Sequence, residues 1–182
     1  MVFCWLSKLI LWFWGWKISG NIPPQIHKVV LVVAPHTSWK DFPLGLLTRS
    51  AARIKVNYVG KSSLFKGPFG WFFRWTGGYP VERSGHAHQV DEIIRLFQTH
   101  DHFILAMAPE GTRKKVDHLR SGFCFIAKGA HVPVIRVAFN GLKKEVSFSE
   151  PYYLVEDCPT EVQRLWEYFR NIPGINPERG IE

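Results

Sequence analysis

Short apolar runs of strand length recur along this chain and restrict its possible folds more than any other feature. The first, residues 28–34, is rich in β-branched side chains and has no alternating polar positions. Strands of that kind are covered on both faces, as in a parallel sheet. Similar runs lie at residues 54–60, 102–108 and 133–137, with helix-like segments between them. This order predicts an α/β sandwich around one mixed, mostly parallel sheet.

The other predicted elements continue the alternation. A further strand is expected at residues 144–149, and helices at residues 84–99, 121–130 and 160–170, the last capped by Thr160. The Pro- and Gly-rich tail from Asn171 should be ordered only by docking. No linker or repeat interrupts the chain, so residues 21–182 form one predicted domain after an N-terminal helix at residues 1–20.

A histidine and a carboxylate follow the end of the first strand. His36 comes directly after Pro35, and a helix beginning near Thr37 or Ser38 would place Asp41 back toward His36. A carboxylate beside an imidazole fixes its tautomer and stabilises its protonated form. The pattern predicts a general base. The alternative is an ordinary loop histidine and an aspartate that only favours a helix N-terminus.

A second polar run, residues 109–113, follows the strand at residues 102–108. Ligands of open α/β sheets bind at the carboxyl ends of the strands. Gly111 permits close backbone approach, Thr112 offers a hydroxyl, and the planar guanidinium of Arg113 suits phosphate. A surface turn with a solvated charge pair is the alternative. The two runs together predict a base beside an anion-binding site.

Four blocks of the sequence, in order, resemble those of the glycerolipid acyltransferases, the family of 1-acyl-sn-glycerol-3-phosphate acyltransferases. They are HTSWKD at residues 36–41, GYPVER at 78–83, APEGTR at 108–113 and HVPVIRV at 131–137. The chain departs from the family at Ala108, Glu82 and Arg136, where Phe, Asp and Pro are more common. These departures remove no catalytic group, but Arg136 is expected to alter what the pocket accepts.

The residues favour direct acyl transfer without an acyl-enzyme intermediate, because the sequence has no GxSxG nucleophile. His36 would take the proton of an acceptor hydroxyl as that hydroxyl attacks an acyl thioester, while Asp41 holds the ring. Backbone N–H groups around Gly111 and the ammonium of Lys61 are candidates to stabilise the oxyanion. An exposed lysine at a helix start is the alternative for Lys61.

The resemblance implies how the acceptor is held. Arg83 and Arg113, with Thr112 and Lys61, would bind the phosphate of a glycerol-phosphate acceptor. Glu110 would contact acceptor hydroxyls or hold the arginines in place.

The implied activity moves a fatty acyl group from acyl-CoA or an acyl carrier protein to a lysophospholipid. The leading acceptor is 1-acyl-sn-glycerol-3-phosphate, which would give phosphatidic acid. Another lyso-lipid, such as one containing an amino acid, and a noncatalytic lipid-binding protein at the membrane surface are the alternatives. The thioester is a co-substrate, and no residue pattern indicates a metal or another cofactor.

The charge and the cysteines indicate the partners and the compartment. A net charge of +8 suits anionic lipid, an acidic thioester carrier or a polyanion. Nucleic acid is not expected as a partner, because the aromatic residues gather in apolar runs instead of alternating with basic ones. Cys4, Cys124 and Cys158 have no paired or metal-like spacing, so we expect reduced thiols in a cytoplasmic protein.

Two aromatic-rich segments predict attachment to a membrane. Residues 1–20 contain four of the eight tryptophans, and the apolar stretch is too short to span a bilayer. We expect it to lie at the cytoplasmic face as a monotopic or peripheral anchor. A helix docked on its own domain or on a second subunit is the alternative. Residues 62–75 would line an acyl-chain groove, lie on the bilayer, or pack in the core.

Overall fold

The computed structural model describes residues 2–81 and 86–181 and confirms the predicted α/β sandwich, in which a seven-stranded sheet lies between two layers of helices. The strands are β1 (Lys17–Ser19), β2 (Lys28–Ala34), β3 (Val56–Lys61), β4 (Gly78–Val81), β5 (Phe103–Met107), β6 (Val134–Asn140) and β7 (Glu145–Phe148). The helices are α1 (Val2–Trp14), α2 (Asp41–Ala51), α3 (Ser63–Lys66), α4 (Gly70–Trp75), α5 (His86–Thr99), α6 (Gly122–Gly129) and α7 (Cys158–Phe169), followed by a 3₁₀ turn (Pro177–Arg179).

The sheet is mixed and mostly parallel, as predicted. Its strand order is β1-β7-β6-β2-β5-β3-β4, and among the pairings of these described strands only that of β6 with β7 is antiparallel. The central strand β2 sends alternate side chains to opposite layers. Val29, Leu31 and Val33 pack toward α1 and α2, whereas Val30, Val32 and Ala34 pack toward α5, α6 and α7. Burial on both faces explains why this run has no polar positions.

The strand register brings three loops to one edge of the sheet. Val32 of β2 pairs with Met107 of β5, and Ala34 pairs with Ala138 of β6, both in parallel. Parallel neighbours end at the same edge, so the loops after β2, β5 and β6 begin side by side. This edge, called the catalytic edge below, carries both predicted polar runs.

Several boundaries differ from the prediction. Helix α1 ends at Trp14, and residues 17–19, which were expected to be helical, instead form β1 beside β7. Helix α7 begins at Cys158 and is capped by Asp157, whose carboxylate accepts the Thr160 N–H at 2.9 Å. Thr160 was wrongly predicted to be the cap, because an aspartate three residues earlier offers a stronger acceptor.

Helix α1 docks on the domain through a narrow stripe. Cys4, Ser7 and Leu11, spaced one turn apart, are buried, and α1 packs on α2. The opposite side of α1 is exposed and apolar. In the described part of the chain, no helix is both long and apolar enough to cross a membrane.

A disulfide joins Cys124 on α6 to Cys158 at the start of α7. The expectation of three reduced thiols is therefore wrong for these two residues, and Cys4 is the free cysteine. The packing of α7 beside α6 brings the two Cα atoms to 5.7 Å, a normal separation for a bridge. The pairing follows from tertiary packing, which cysteine spacing alone does not encode.

Candidate active site

The loop that carries His36 is held by Asp41. The Oδ2 atom of Asp41 accepts the backbone N–H groups of Thr37 and Ser38, both at 2.8 Å. These bonds keep residues 37 and 38 in a loop, and α2 therefore begins at Asp41 instead of near Thr37 or Ser38 as predicted. The carboxylate is buried at the first position of the helix, where a negative charge is favourable.

The imidazole of His36 is positioned by packing. Its ring stacks on Phe139 of β6, with ring centroids 5.9 Å apart and planes inclined by 19°. The predicted hydrogen bond to Asp41 is not formed. The Nδ1 atom of His36 and the Oδ1 atom of Asp41 are both buried and make no hydrogen bond of normal geometry to a described residue, although the Val33 backbone interacts with the His36 ring and opposes the lowering of its pKa.

Glu110 links the two polar runs. Its Oε1 atom accepts the backbone N–H of His36 at 2.8 Å, which is possible because β2 and β5 are neighbours in the sheet. Its other carboxylate oxygen is buried and has no partner in the described part of the chain. Glu110 therefore positions the histidine loop, which was not predicted, and its predicted contact with acceptor hydroxyls or with the arginines stays a prediction.

Burial changes the pKa values of all three groups. Desolvation, and then the positive charge of Arg113, lower the pKa of His36 to about 4. Desolvation raises the pKa of Glu110 to about 7, and the charge of Asp41 adds to that shift. Desolvation also raises the pKa of Asp41, although the Ser38 and Thr37 N–H groups oppose it. At neutral pH the His36 ring is therefore uncharged and able to accept a proton.

A cavity of about 740 Å³ runs from the catalytic edge between α2 and the sheet. Its volume is within the roughly 300–1,000 Å³ of small-molecule sites. Most of its walls are apolar, with Leu31, Val33, Phe42, Leu46, Ile54, Val56, Val59, Ala106, Val137, Phe139 and Phe148 among them. The polar lining at the catalytic edge comprises His36, Asp41, Thr112, Arg113, Lys114 and Arg179.

The structure brings most of the predicted second run to this cavity. Gly111, Thr112 and Arg113 line it and are exposed. Gly111 has a φ of 65°, and a Cβ atom there would lie 2.8 Å from the guanidinium carbon of Arg120. A side chain at this position would be strained and would push Arg120 away, which explains the glycine.

Lys61 and Arg83, which were also predicted to belong to the site, are not placed in this cavity by the described residues. Lys61 is exposed at the end of β3 and is not among the residues that line the cavity, so its catalytic role stays a prediction. Glu82 and Arg83 lie outside the described residues.

The expectation for Arg136 is wrong. It alternates with Val137 and Phe139 of β6, which line the cavity, and therefore faces the opposite side of the sheet. There its guanidinium carbon lies 5.1 Å from the Tyr152 ring centroid and 4.1 Å from that of Tyr168. Arg136 thus packs between two tyrosines, away from the substrate cavity.

The C-terminal tail, residues 171–181, contributes to the site and was not predicted to do so. Asn176 donates its backbone N–H to Thr37 Oγ1 at 3.0 Å, and Arg179 lines the cavity. The contact joins residues 139 positions apart. No periodicity or motif in the sequence signals such a contact.

Comparison with known proteins identifies the family. The sequence model of the Acyltransferase family matches residues 17–140, more than half of the chain, and this range contains both polar runs and β2 to β6. The chain belongs to the acyltransferase family. The family predicted from the four sequence blocks is thereby confirmed, and the protein is an acyltransferase.

A solved structure supports the fold of this acyltransferase. The crystal structure of the 1-acyl-sn-glycerophosphate (LPA) acyltransferase PlsC from Thermotoga maritima is 22% identical in sequence and superimposes with a TM-score of 0.62. The match covers 91% of this chain and 77% of that chain. No curated protein matches the sequence.

Proposed function

We propose that this acyltransferase moves a fatty acyl group from an acyl thioester to the free hydroxyl of a lysophospholipid, with 1-acyl-sn-glycerol-3-phosphate as the acceptor. The observation that carries the proposal is the position of His36. Its neutral imidazole lies where an apolar cavity meets Thr112 and Arg113. A long acyl chain, a hydroxyl to be deprotonated and a phosphate require that combination of surfaces in one place.

In the proposed reaction, His36 is the general base. It accepts the proton of the acceptor hydroxyl as the oxygen forms a bond to the thioester carbonyl carbon. The tetrahedral intermediate then expels the thiolate, which takes the proton back from the imidazolium. Backbone N–H groups around Gly111 are the candidate donors for the oxyanion, and one such donor typically contributes about 2.7–4 kcal/mol.

Substrate binding would also tune the base. The positive charge of Arg113 lowers the pKa of His36. A phosphate held by Arg113 and Thr112 would offset that positive charge and raise the pKa of His36. Pairing of the ring with the unpartnered oxygen of Asp41 would act in the same direction. The base would therefore become stronger when the acceptor is in place.

The apolar cavity is the proposed site of the acyl chain. Its apolar walls come mainly from α2 and from β2, β3, β5, β6 and β7. No residue from 62–75 is among the described lining residues, so we do not assign the acyl groove to that segment. Arg49 and Tyr58 line the cavity as well, but both are engaged by Thr76, so their polar groups are satisfied by the protein.

We further propose that the protein works at a membrane surface. On α1, the exposed apolar side chains are Phe3, Trp5, Leu6, Leu9, Ile10, Trp12 and Phe13. On α3, on α4 and between them, they are Leu64, Phe69, Trp71 and Trp75. Aromatic residues of this density are unusual on a surface that faces only water, and tryptophan favours the headgroup region.

The test measures thiol release from a long-chain acyl-CoA and from the corresponding acyl carrier protein thioester, with and without 1-acyl-sn-glycerol-3-phosphate in vesicles. The proposal predicts acceptor-dependent release together with formation of phosphatidic acid. Release that ignores the acceptor would indicate a thioesterase. Transfer to a different lyso-lipid instead, including one with an amino-acid headgroup, would show that 1-acyl-sn-glycerol-3-phosphate is not the acceptor. Absence of release with every pair would indicate a noncatalytic lipid-binding protein.

A further inference from the structure

The backbone of the C-terminal tail is hydrogen-bonded both to Gly141, which follows β6, and to Thr37 of the histidine loop. Gly141 donates its N–H to the Pro173 carbonyl at 2.8 Å, and Asn176 donates to the hydroxyl of Thr37 at 3.0 Å. Thr37 is fully buried beneath this contact. A Cβ atom built on Gly174 would lie 2.4 Å from Thr37, so the two segments are in close contact. The tail is therefore held directly beside His36.

The tail is fixed again at the loop that carries Arg113. Ile181 is buried and forms a parallel bridge with Val116, which lies three residues after Arg113. Between Asn176 and Ile181 the chain forms the 3₁₀ turn Pro177–Arg179. Because both ends of this segment are attached, the turn is held between the two loops of the active site.

Arg179 projects from that turn into the cation-rich part of the cavity. It lines the cavity together with Arg113 and Lys114, and all three side chains are exposed. Within residues 2–81 and 86–181 no carboxylate forms an ion pair with Arg179. Among the described residues that line the cavity, Asp41 is the one carboxylate, and it is buried and bonded to the histidine loop. The exposed charged side chains that line this part of the cavity, Arg113, Lys114 and Arg179, are all positive.

We propose that Arg179 is a substrate-binding residue that binds a phosphate group of one of the two substrates. Its guanidinium supplies two parallel donors that suit a phosphate. A phosphate occurs on the lysophospholipid acceptor and also on the coenzyme A or phosphopantetheine of the donor, so the chemistry of the site is shared by both. This inference rests on the proposed transfer reaction and adds a binding group from outside the four sequence blocks.

The first experiment compares Arg179→Gln with Arg170→Gln, in which an exposed arginine at the end of α7 loses the same charge away from the cavity. One arm uses 1-acylglycerol-3-phosphate and phosphate-free 1-acylglycerol as acceptors. The other uses acyl-CoA and an acyl-pantetheine thioester without phosphate as donors. We expect Arg179→Gln to raise the KM of the phosphate-bearing substrate in one arm by roughly 10-fold or more, since it removes a charge-assisted hydrogen bond.

The remaining outcomes separate this inference from its alternatives. The KM of the matching phosphate-free substrate and the kcat should stay close to wild type, and Arg179→Lys should restore part of the affinity. The role of Arg179 would be overturned if Arg179→Gln raised KM equally for phosphate-bearing and phosphate-free substrates in both arms. It would also be overturned if Arg170→Gln raised KM as much, or if Arg179→Gln left KM unchanged.

A binding measurement keeps the test independent of turnover. If the wild type transfers no acyl group, the proposed function fails, but the affinity for inorganic phosphate can still be compared by calorimetry. Weaker phosphate binding by Arg179→Gln than by Arg170→Gln would support the inference, and equal binding by the two variants would overturn it.

Discussion

The chemistry of individual residues in this acyltransferase depends on burial. His36 and Glu110 come from two loops and Asp41 from the start of α2, and each is held by backbone bonds or ring stacking instead of by direct contact between their side chains. A carboxylate at Asp41 can then have two roles. It fixes the loop through its bonds to the backbone, and in the proposed reaction it would support the imidazolium.

Two substitutions of Asp41 separate these roles. Asp41→Ala leaves the Thr37 and Ser38 N–H groups without their acceptor, so we expect the free energy of unfolding to fall by about 2–4 kcal/mol. Asp41→Asn keeps an oxygen acceptor but removes the charge, and should retain most of the stability while transfer falls roughly 10²-fold or more. Urea unfolding and initial rates measure both. A fully active Asp41→Asn enzyme would show that the residue is only structural.

The opposite pKa shifts of His36 and Glu110 predict an unusual dependence of stability on pH. The pKa of His36 is about 4 in the folded protein against an ordinary 6.5, so stability falls as pH decreases through this window. The pKa of Glu110 is about 7 against 4.5, so its contribution falls as pH increases through its own window. Between pH 4.5 and 6.5 the two effects oppose each other.

The variant Glu110→Gln should reveal how the titration of His36 alone changes the free energy of unfolding with pH. The variant keeps an oxygen for the His36 N–H but removes the opposing titration. We expect its free energy of unfolding to rise more steeply from pH 4.5 to 6.5 than that of the wild type, as measured by urea unfolding. Parallel curves for the two proteins would contradict the raised pKa of Glu110.

Among the structural elements, the C-terminal tail connects stability to the active site. Gly174→Ala places a methyl group against Thr37, and overpacking of this kind typically costs about 1–3 kcal/mol. We expect lower stability together with slower transfer, since the displaced residue lies next to His36. Gly67→Ala is the matched control, because no atom lies within 4 Å of its added Cβ. Equal transfer rates for the two variants would show that the contact of the tail with Thr37 does not affect the active site.

Helix α1 has separate faces for folding and for the proposed membrane contact. Trp12 and Phe13 are 70% and 74% exposed, so replacing both by Ser should change the free energy of unfolding by less than about 1 kcal/mol. If these two side chains are half inserted in the bilayer, their removal lowers the free energy of membrane binding by roughly 1.5–3 kcal/mol, and vesicle affinity should fall about 10- to 100-fold. Val155→Ser, which changes an exposed apolar residue on another part of the surface, should bind vesicles as the wild type does. Unchanged sedimentation of the double variant with vesicles would place the membrane contact elsewhere.

At the scale of the whole molecule, the sheet could be predicted because its strands are encoded locally. The boundaries of β2 agree with the sequence prediction, since burial on both faces requires an uninterrupted apolar run. The three-residue β1 lacks such a run and depends on pairing with β7, so it was not predicted. Similarly, the start of α2 is determined by side-chain bonds of Asp41 that hydrophobic periodicity does not record.

The active site was predictable where it follows strand ends and unpredictable where it depends on tertiary contacts. His36 and Thr112 to Arg113 reach one cavity because parallel neighbouring strands end together. Arg179 reaches the same cavity through the docking of an irregular tail onto Thr37, and the Cys124–Cys158 bridge similarly depends on the packing of two helices. Neither contact has a periodic signal in the sequence.

The central claim is that His36 is the base for acyl transfer, and the rate of acylated lipid formation by His36→Ala tests it most directly. We first check that His36→Ala has the same free energy of unfolding and the same affinity for the acceptor as the wild type. At saturating thioester and 1-acyl-sn-glycerol-3-phosphate, we then expect its rate to be lower by a factor of roughly 10²–10⁴. Added imidazole should restore part of it by occupying the vacated space. A folded His36→Ala enzyme that forms product at the wild-type rate would contradict the account.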